Sequence, residues 1–158
     1  MANEELKAGM KAPVFSAEST DGTKIALKDF KGKNVVLYFY PKDDTPGCTK
    51  EACAFRDSNA DLKKLGAVVL GVSKDDVASH EKFAAKFSLN FPLLADTTGA
   101  ICEAYGVWQE KSNYGKKYMG IVRSTFLIDG KGVVRNVWRT VKVDTHAGEV
   151  LEALKEIQ

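Results

Sequence analysis

The apolar positions of the chain fall into short continuous runs separated by segments of helical periodicity. The runs VVLYFY (35–40) and AVVLGV (67–72) contain no charged residue, which is typical of strands that are buried on both faces. Between the runs, four apolar side chains recur at the spacing of one helical face: Ala52, Phe55, Leu62 and Leu65. Gly66 follows them and is a suitable residue to end the helix. Strand, helix and strand within about 40 residues predict a right-handed, parallel βαβ unit.

The alternation continues towards the C-terminus. Residues 77–87 predict a second helix, and its inward stripe consists of four residues: His80, Phe83, Ala84 and Phe87. FPLLAD (91–96) predicts a short strand, and TTGAICEAYGV predicts a short helix after it. STFLID (124–129) and VVRNVWR (133–139) flank GKG and predict a hairpin. A last helix is expected over 145–157.

Near the N-terminus, two extended runs flank Asp21 and Gly22, a dipeptide typical of a tight hairpin turn. The elements together predict an α/β fold of three layers, with a central mixed β-sheet flanked by helices and an N-terminal β-hairpin. The 158 residues suffice for one hydrophobic core, and neither a repeat nor a linker divides them. Residues 1–158 are therefore expected to form a single domain.

Composition and charge indicate which classes of binding partner are not expected for this chain. The chain is 44% hydrophobic and 28% charged, with a formal net charge of +2, and its basic residues are scattered among the acidic ones. This distribution argues against nucleic acid or an anionic membrane as the main partner. The longest apolar run is too short to cross a bilayer, and the opening MANEELKAGM lacks the apolar core of a secretory signal. A cytoplasmic location is expected.

Three cysteines, Cys48, Cys53 and Cys102, are an odd number in a chain that is large enough to fold without disulfides. We therefore expect a reducing compartment, in which cysteines are buried, bound to metal or catalytic. Cys102 lies on the predicted short helix and is interpreted as structural. Cys48 differs because it follows the buried run 35–40 and the turn residues of TPGC, where the helical pattern begins.

A cysteine at the start of a helix is a candidate nucleophile. The thiolate is the reactive form, and a free thiol with a pKa of about 8.5 is only a few per cent ionised at neutral pH. The first helical turn favours an anion because its backbone N–H groups are unpaired. A helix terminus supplies about 1 kcal/mol, whereas a shift to a pKa of about 6 requires about 3.4 kcal/mol. A second donor, preferably a cation, is therefore expected.

The residues around this cysteine also have purely structural interpretations. Cys48 can be a small buried apolar residue, Thr45 an N-cap, and Pro41 the residue that ends the strand. A disulfide oxidoreductase of the thioredoxin type is an alternative enzyme class, but such enzymes use C-x2-C, whereas Cys48 and Cys53 form C-x4-C.

Zinc binding is an alternative from another functional class. Its four ligands would be Cys48, Cys53, Cys102 and His80. The spacing lacks a second paired motif, and His80 lies on an apolar helical stripe that is typical of a core histidine. The other histidine, His146, is expected to be exposed in the first turn of the last helix.

The segment PKDDTPGCTKEACAFRD resembles the active-site signature of the peroxiredoxins, Pro-x3-Thr-x2-Cys, which is met by Pro41, Thr45 and Cys48. Within that family it is most similar to the bacterioferritin-comigratory or Q-type group, in which TPGCT is followed by a second cysteine. The resemblance continues through GVSKDD, FPLLAD, YGVW and STFLID, and so extends over nearly the whole chain.

The resemblance implies a thioredoxin-like fold and thiol-dependent reduction of hydrogen peroxide and organic hydroperoxides. Cys48 would be the peroxidatic cysteine and become a sulfenic acid. Thr45 would hydrogen-bond the peroxide, and Pro41 would shield the sulfenate from water. Arg123, in GIVRSTFLID, would hold the thiolate and the peroxide, and would supply the cation required above. No metal or organic cofactor is expected.

The resemblance also implies that Cys53 resolves the sulfenic acid. If both cysteines lie on one helix, they are about 7.5 Å apart along the axis and about 140° apart around it. The Cα atoms are then separated by about 8.6 Å, beyond the roughly 7 Å limit of a disulfide. A disulfide between Cys48 and Cys53 therefore requires the start of the helix to unwind. Thioredoxin is the expected reductant, and the protein is expected to be a monomer.

Overall fold

The structure is a computed structural model that describes residues 5–139 and 141–158. Its strands, in chain order, are β1 Ser16–Ser19, β2 Lys24–Ala26, β3 Asn34–Phe39, β4 Ala67–Ser73, β5 Leu93–Ala95, β6 Trp108–Asn113, β7 Lys116–Ile121, β8 Ser124–Ile128 and β9 Val134–Trp138. Its α-helices are α1 Pro46–Lys64, α2 Val77–Lys86, α3 Ala100–Ala104 and α4 Val143–Glu156. A short 3-10 helix spans Leu27–Phe30.

Seven strands form a mixed sheet in the order β2-β1-β5-β4-β3-β8-β9. β3 pairs in parallel with β4 and antiparallel with β8. β4 pairs in parallel with β5, and antiparallel hairpins close both edges of the sheet. The predicted mixed sheet, its parallel βαβ unit and the N-terminal hairpin are thereby confirmed.

The central strand β3 is buried on both faces because apolar side chains alternate across it. Val35, Leu37 and Phe39 belong to one core cluster, while Val36 and Tyr38 belong to the other. The second cluster also contains the buried faces of α1, α2 and α4, and the first contains those of α3 and of the N-terminal segment. Layers on both sides of the sheet therefore explain why this run lacks polar positions.

Helix α1 begins at Pro46, two residues before the expected start at Cys48. Proline suits the first helical positions because its φ is already helical and its missing N–H would be unpaired there. Thr45 is the N-cap residue and is extended, with φ −95° and ψ 155°. Cys48 is therefore the third residue of α1 and still lies in its first turn.

Two further features differ from the sequence predictions. His146 was expected to be exposed, and this is wrong: only 1% of the residue is accessible, since α4 starts at Val143 and turns His146 inward. The antiparallel pair β6–β7 was not predicted because its strands are rich in charged residues. Tyr114 and Gly115 join them with φ of 52° and 80°, as a type I′ hairpin turn requires.

Among the described residues, the helices are too short or too polar to cross a lipid bilayer.

Candidate active site

Cys48 lies where β3 has ended and α1 begins, and its residue is 1% accessible. Its Sγ accepts a hydrogen bond from Nη2 of Arg123, at 3.2 Å. Arg123 immediately precedes β8, whose residue Ser124 is paired with Phe39 at the end of β3. Strand pairing thus brings together two residues that are 75 positions apart in the chain, and supplies the cation expected beside Cys48.

The same guanidinium binds a second side chain on α1. Nη1 of Arg123 donates to Oε1 of Glu51 at 2.6 Å, and Glu51 is 1% accessible. Glu51 lies one helical turn after Cys48, so that Arg123 bridges the sulfur and the carboxylate. Within the described part of the chain, Oε2 of Glu51 has no hydrogen-bond partner. The sequence analysis missed Glu51; the available signal was an acid three residues after Cys48, on the buried face of a helix.

Burial and charge act against each other in this group. Burial raises the pKa of Glu51 to about 7, although the charge of Arg123 and its hydrogen bond pull that pKa down. Burial lowers the pKa of Arg123, but Glu51 and Cys48 outweigh it and leave this pKa above its usual value. The guanidinium therefore stays charged and places a positive charge beside the sulfur of Cys48.

Gly47 allows Arg123 to approach the start of α1. A Cβ atom at position 47 would lie 3.3 Å from Nη2 of Arg123, which is tighter than an ordinary van der Waals contact. A residue without a side chain here therefore leaves room for the hydrogen bond to Cys48.

Thr45 and Pro41 lie in the loop that joins β3 to α1. Oγ1 of Thr45 donates to the carbonyl of Lys42 at 3.0 Å, and its side chain makes no capping hydrogen bond to α1. Thr45 thus occupies the N-cap position, but its side chain does not accept a hydrogen bond from the first turn of α1. Pro41 is exposed, at the edge of a cavity of about 400 Å³ that also touches Trp108 and Met119.

The other two cysteines have different environments. Cys53 is half-buried on α1, as expected for a helix that contains both cysteines, and all three cysteines are free thiols. Cys102 is buried in α3. Burial raises the pKa of Cys102 far above its usual range, and the neighbouring carboxylate of Asp96 raises it further. A thiolate is therefore disfavoured at Cys102, in agreement with the structural interpretation.

The ligand set proposed for zinc is not assembled. Both ring nitrogens of His80 are engaged, Nδ1 with Asp43 at 2.7 Å and Nε2 with the carbonyl of Leu94 at 2.8 Å. Over residues 5–139 and 141–158, the one cluster of three possible ligand side chains consists of Asp43, Asp75 and His80, and it contains no cysteine. The zinc interpretation is therefore wrong.

A family model described as the AhpC/TSA family matches residues 8–137. The chain belongs to the AhpC/TSA family of peroxiredoxins. It is 50% identical over 152 residues to "Peroxiredoxin Bcp" of Bacillus subtilis, a match that covers 96% of this chain and 97% of the relative. The peroxiredoxin of the same name from Escherichia coli K12 is 49% identical over 151 residues, with 96% and 97% coverage. Identity at this level shows that the chain is a peroxidase, an oxidoreductase.

Solved structures agree with the family assignment. Peroxiredoxin Q of Xanthomonas campestris matches with a TM-score of 0.86 and 46% identity, covering 90% of each chain. A cysteine-to-serine variant of PrxQ from Xylella fastidiosa matches with a TM-score of 0.92 and 38% identity, covering 98% of this peroxiredoxin and 99% of that chain. The predicted thioredoxin-like fold is confirmed, and none of these relatives favours a disulfide oxidoreductase.

Proposed function

We propose that this peroxiredoxin reduces hydrogen peroxide and organic hydroperoxides at Cys48, forms a disulfide between Cys48 and Cys53, and is reduced again by a thioredoxin-type dithiol protein. The observation that carries the proposal is the 3.2 Å hydrogen bond from Arg123 to the sulfur of Cys48. It supports the proposal because it places a positive charge beside the sulfur, where negative charge moves from sulfur to oxygen as a peroxide reacts.

In the first step, the thiolate of Cys48 attacks one peroxide oxygen and the O–O bond breaks. The sulfur becomes a sulfenic acid, and the other oxygen leaves as hydroxide or alkoxide, which takes up a proton to give water or an alcohol. Arg123 stabilises the negative charge as it passes from sulfur to oxygen. Thr45 is proposed to hydrogen-bond the bound peroxide, after its hydroxyl turns away from Lys42. Pro41 is proposed to shield the sulfenic acid from water.

In the second step, the thiolate of Cys53 attacks the sulfur of the sulfenic acid and its S–O bond breaks. The oxygen leaves as hydroxide, which takes up a proton to give water. Both cysteines lie on α1, at a spacing that a disulfide does not span while the helix is intact. The first turns of α1 must therefore unwind before the bond forms. An external dithiol then reduces the disulfide by thiol exchange through a mixed disulfide. A reducing compartment such as the cytoplasm would sustain this cycle.

A thioredoxin-coupled peroxidase assay on wild type and three serine variants tests the proposal. Cys48→Ser is expected to lower turnover at least about a thousandfold, because a hydroxyl lacks the reactivity of a thiolate. Cys53→Ser is expected to reduce one equivalent of peroxide and then to stop, because its sulfenic acid has no resolving partner. Cys102→Ser is the matched control and should retain wild-type turnover.

Disulfide mapping by mass spectrometry, after one equivalent of peroxide, supplies the second readout. A bridge between Cys48 and Cys53 is expected. Full turnover in Cys53→Ser, or a bridge that involves Cys102, would contradict the resolving role. Wild-type activity in Cys48→Ser would contradict the proposal as a whole.

A further inference from the structure

A buried hydrogen-bond network holds the loop between β3 and α1, residues 41–45, through Asp43, whose hydrogen-bond partners in the described chain do not include Cys48. The carboxylate of Asp43 accepts hydrogen bonds from the Tyr40 hydroxyl at 2.6 Å, the Ser79 hydroxyl at 2.8 Å and Nδ1 of His80 at 2.7 Å. Asp43 is 8% accessible and His80 is fully buried. The peroxidase mechanism proposed above makes no use of this network.

The backbone of Asp43 is tied down as well. Its N–H donates to Oδ2 of Asp75 at 2.9 Å, and the same oxygen accepts from the Ser73 hydroxyl at 2.7 Å. Ser73 is the last residue of β4, and Ser79 and His80 lie in the first turns of α2. Asp43 is therefore hydrogen-bonded, through both its side chain and its backbone, to the segment that runs from the end of β4 into the first turn of α2.

The hydrogen bonds also orient the ring of His80. Nε2 faces the carbonyl of Leu94 at 2.8 Å, and Nδ1 lies 2.7 Å from Oδ2 of Asp43. Burial raises the pKa of Asp43, but the hydrogen bonds from His80, Tyr40 and Ser79 outweigh it and hold this pKa below its usual value. Asp43 and His80 are therefore joined by a short hydrogen bond, and both ring nitrogens of the buried His80 have a partner.

The loop residues between Asp43 and α1 connect this network to the start of the helix. The carbonyl of Thr45 accepts the helical hydrogen bond from the N–H of Thr49 at 2.8 Å, and the Thr45 hydroxyl donates to the carbonyl of Lys42. Between them, Asp44 has a positive φ of 59°, a left-handed conformation that is uncommon outside glycine and that aspartate adopts more readily than most residues. The conformation that starts α1 thus depends on a loop that is held at Asp43.

We propose that Asp43 and His80 are positioning residues that hold the first turn of α1 in its helical, peroxide-reactive form and limit how far it unwinds. The inference rests on the proposed function, since it concerns the passage of Cys48 between a folded helix and a disulfide. Loosening the loop lowers the population of the folded first turn. Reaction with peroxide then slows and disulfide formation accelerates, and these opposite changes distinguish a positioning role from general stabilisation.

The test is a rapid-quench experiment on Asp43→Asn and His80→Gln, with thiol alkylation and mass spectrometry to follow thiol, sulfenic acid and disulfide over a single turnover. Each variant replaces one partner of the Asp43–His80 hydrogen bond without changing the size of the side chain greatly. We expect the rate constant with hydrogen peroxide to fall about tenfold and the rate constant of disulfide formation to rise several-fold.

Asp96→Asn is the control variant. Asp96 is also a buried carboxylate, and it caps α3 by accepting from the N–H groups of Ile101 at 3.1 Å and Cys102 at 2.8 Å. Its replacement should lower the free energy of unfolding measured in urea and leave both rate constants unchanged. If Asp43→Asn does not fold, Ser79→Ala provides the same test, because it removes one donor to the Asp43 carboxylate.

The wild type in the same experiment separates the two proposals. A wild type that forms no disulfide between Cys48 and Cys53 would contradict the proposed function and the positioning role together. A wild type that shows both steps, beside variants whose two rate constants are unchanged or move in the same direction, would overturn the positioning role alone.

Discussion

Arg123 contacts two groups on α1 that compete for its positive charge, the sulfur of Cys48 and the carboxylate of Glu51. A guanidinium can serve both because its two amino groups point along a rigid fork. Glu51 orients Arg123, and its carboxylate also reduces the positive charge that Arg123 presents to Cys48. We therefore propose that the reactivity of Cys48 depends on Arg123 and Glu51 together.

Arg123→Lys tests whether the fork is needed or the charge alone suffices. An ammonium keeps the charge but does not reach two acceptors in the same geometry. We expect the rate constant with hydrogen peroxide, measured by stopped flow under single-turnover conditions, to fall at least about 30-fold, from the loss of a charged hydrogen bond worth about 2 kcal/mol.

Arg135→Lys is the matched control because Arg135 is exposed. It forms an ion pair with Asp129, which directly follows β8, while Arg135 lies near the start of β9. This variant should react like the wild type. Equal rate constants for Arg123→Lys and the wild type would show that the charge alone is enough.

Glu51 should make the stability of the folded protein depend on pH. Burial raises its pKa from the usual 4.5 to about 7, so between these values the folded protein binds more protons than the unfolded chain. The free energy of unfolding therefore falls as the pH rises from about 4.5 to about 7. Glu51→Gln should abolish this contribution, which is on the order of 3 kcal/mol.

The measurement is urea unfolding of Glu51→Gln and wild type from pH 4.5 to 8, reported as the difference between the two. A difference is needed because His146 acts in the opposite direction: burial lowers its pKa from 6.5 to about 4, so its contribution rises with pH over that window. Glu152→Gln, at an exposed position of α4, is the control. A difference that stays constant with pH would contradict the role of burial at Glu51.

The proposed mechanism requires two conformations of helix α1. It is continuous over Pro46–Lys64 and contains both Cys48 and Cys53, yet the proposed disulfide needs its first turns to open. Lys50 forms an ion pair with Asp144 on α4, but this pair is exposed and contributes little to stability. Residues in the first turns of α1 that disfavour a helix should therefore affect how fast these turns unwind.

Thr49→Ala tests this at the level of the helix. Alanine favours the helix over threonine by about 0.6 kcal/mol, so the folded first turn becomes more stable. We expect disulfide formation to slow about threefold, with little change in the reaction with peroxide, when both steps are followed by rapid quench.

Ser58→Ala makes a similar change in the same helix beyond Cys53 and should leave both steps unchanged. Faster disulfide formation in Thr49→Ala than in Ser58→Ala would contradict a mechanism in which the first turns unwind.

For the whole molecule, we predict a monomer. Among residues 5–139 and 141–158, large apolar side chains that are exposed are limited to Val14, Tyr114, Tyr118 and Met119. Stable dimers usually bury a larger apolar surface. Sedimentation velocity over a range of concentrations should give one species with the 17.3 kDa mass of the chain. A second species that grows with concentration would contradict this prediction.

Elements with a strong periodic pattern could be predicted from the sequence, and weakly patterned ones could not. The buried runs 35–40 and 67–72 correspond to β3 and β4, because strands with two covered faces exclude polar residues. β6 and β7 carry charges on both faces and lie outside the main sheet, so no apolar pattern marked them. The inward turn of His146 was missed because its partner, Thr125 at 2.7 Å, lies on another element.

The sequence by itself determined the local part of the site. A strand, a Pro-Gly turn and a helix follow one another directly, so Cys48 had to lie in the first turn of α1, and the spacing to Cys53 follows from the same helix. Arg123 was expected from the resemblance to the peroxiredoxins. Only the tertiary structure decided which side chains meet across the chain: Arg123 with Glu51, and Asp43 with His80. Those contacts depend on strand order and on the face of the sheet that each helix covers, and no local pattern encodes either.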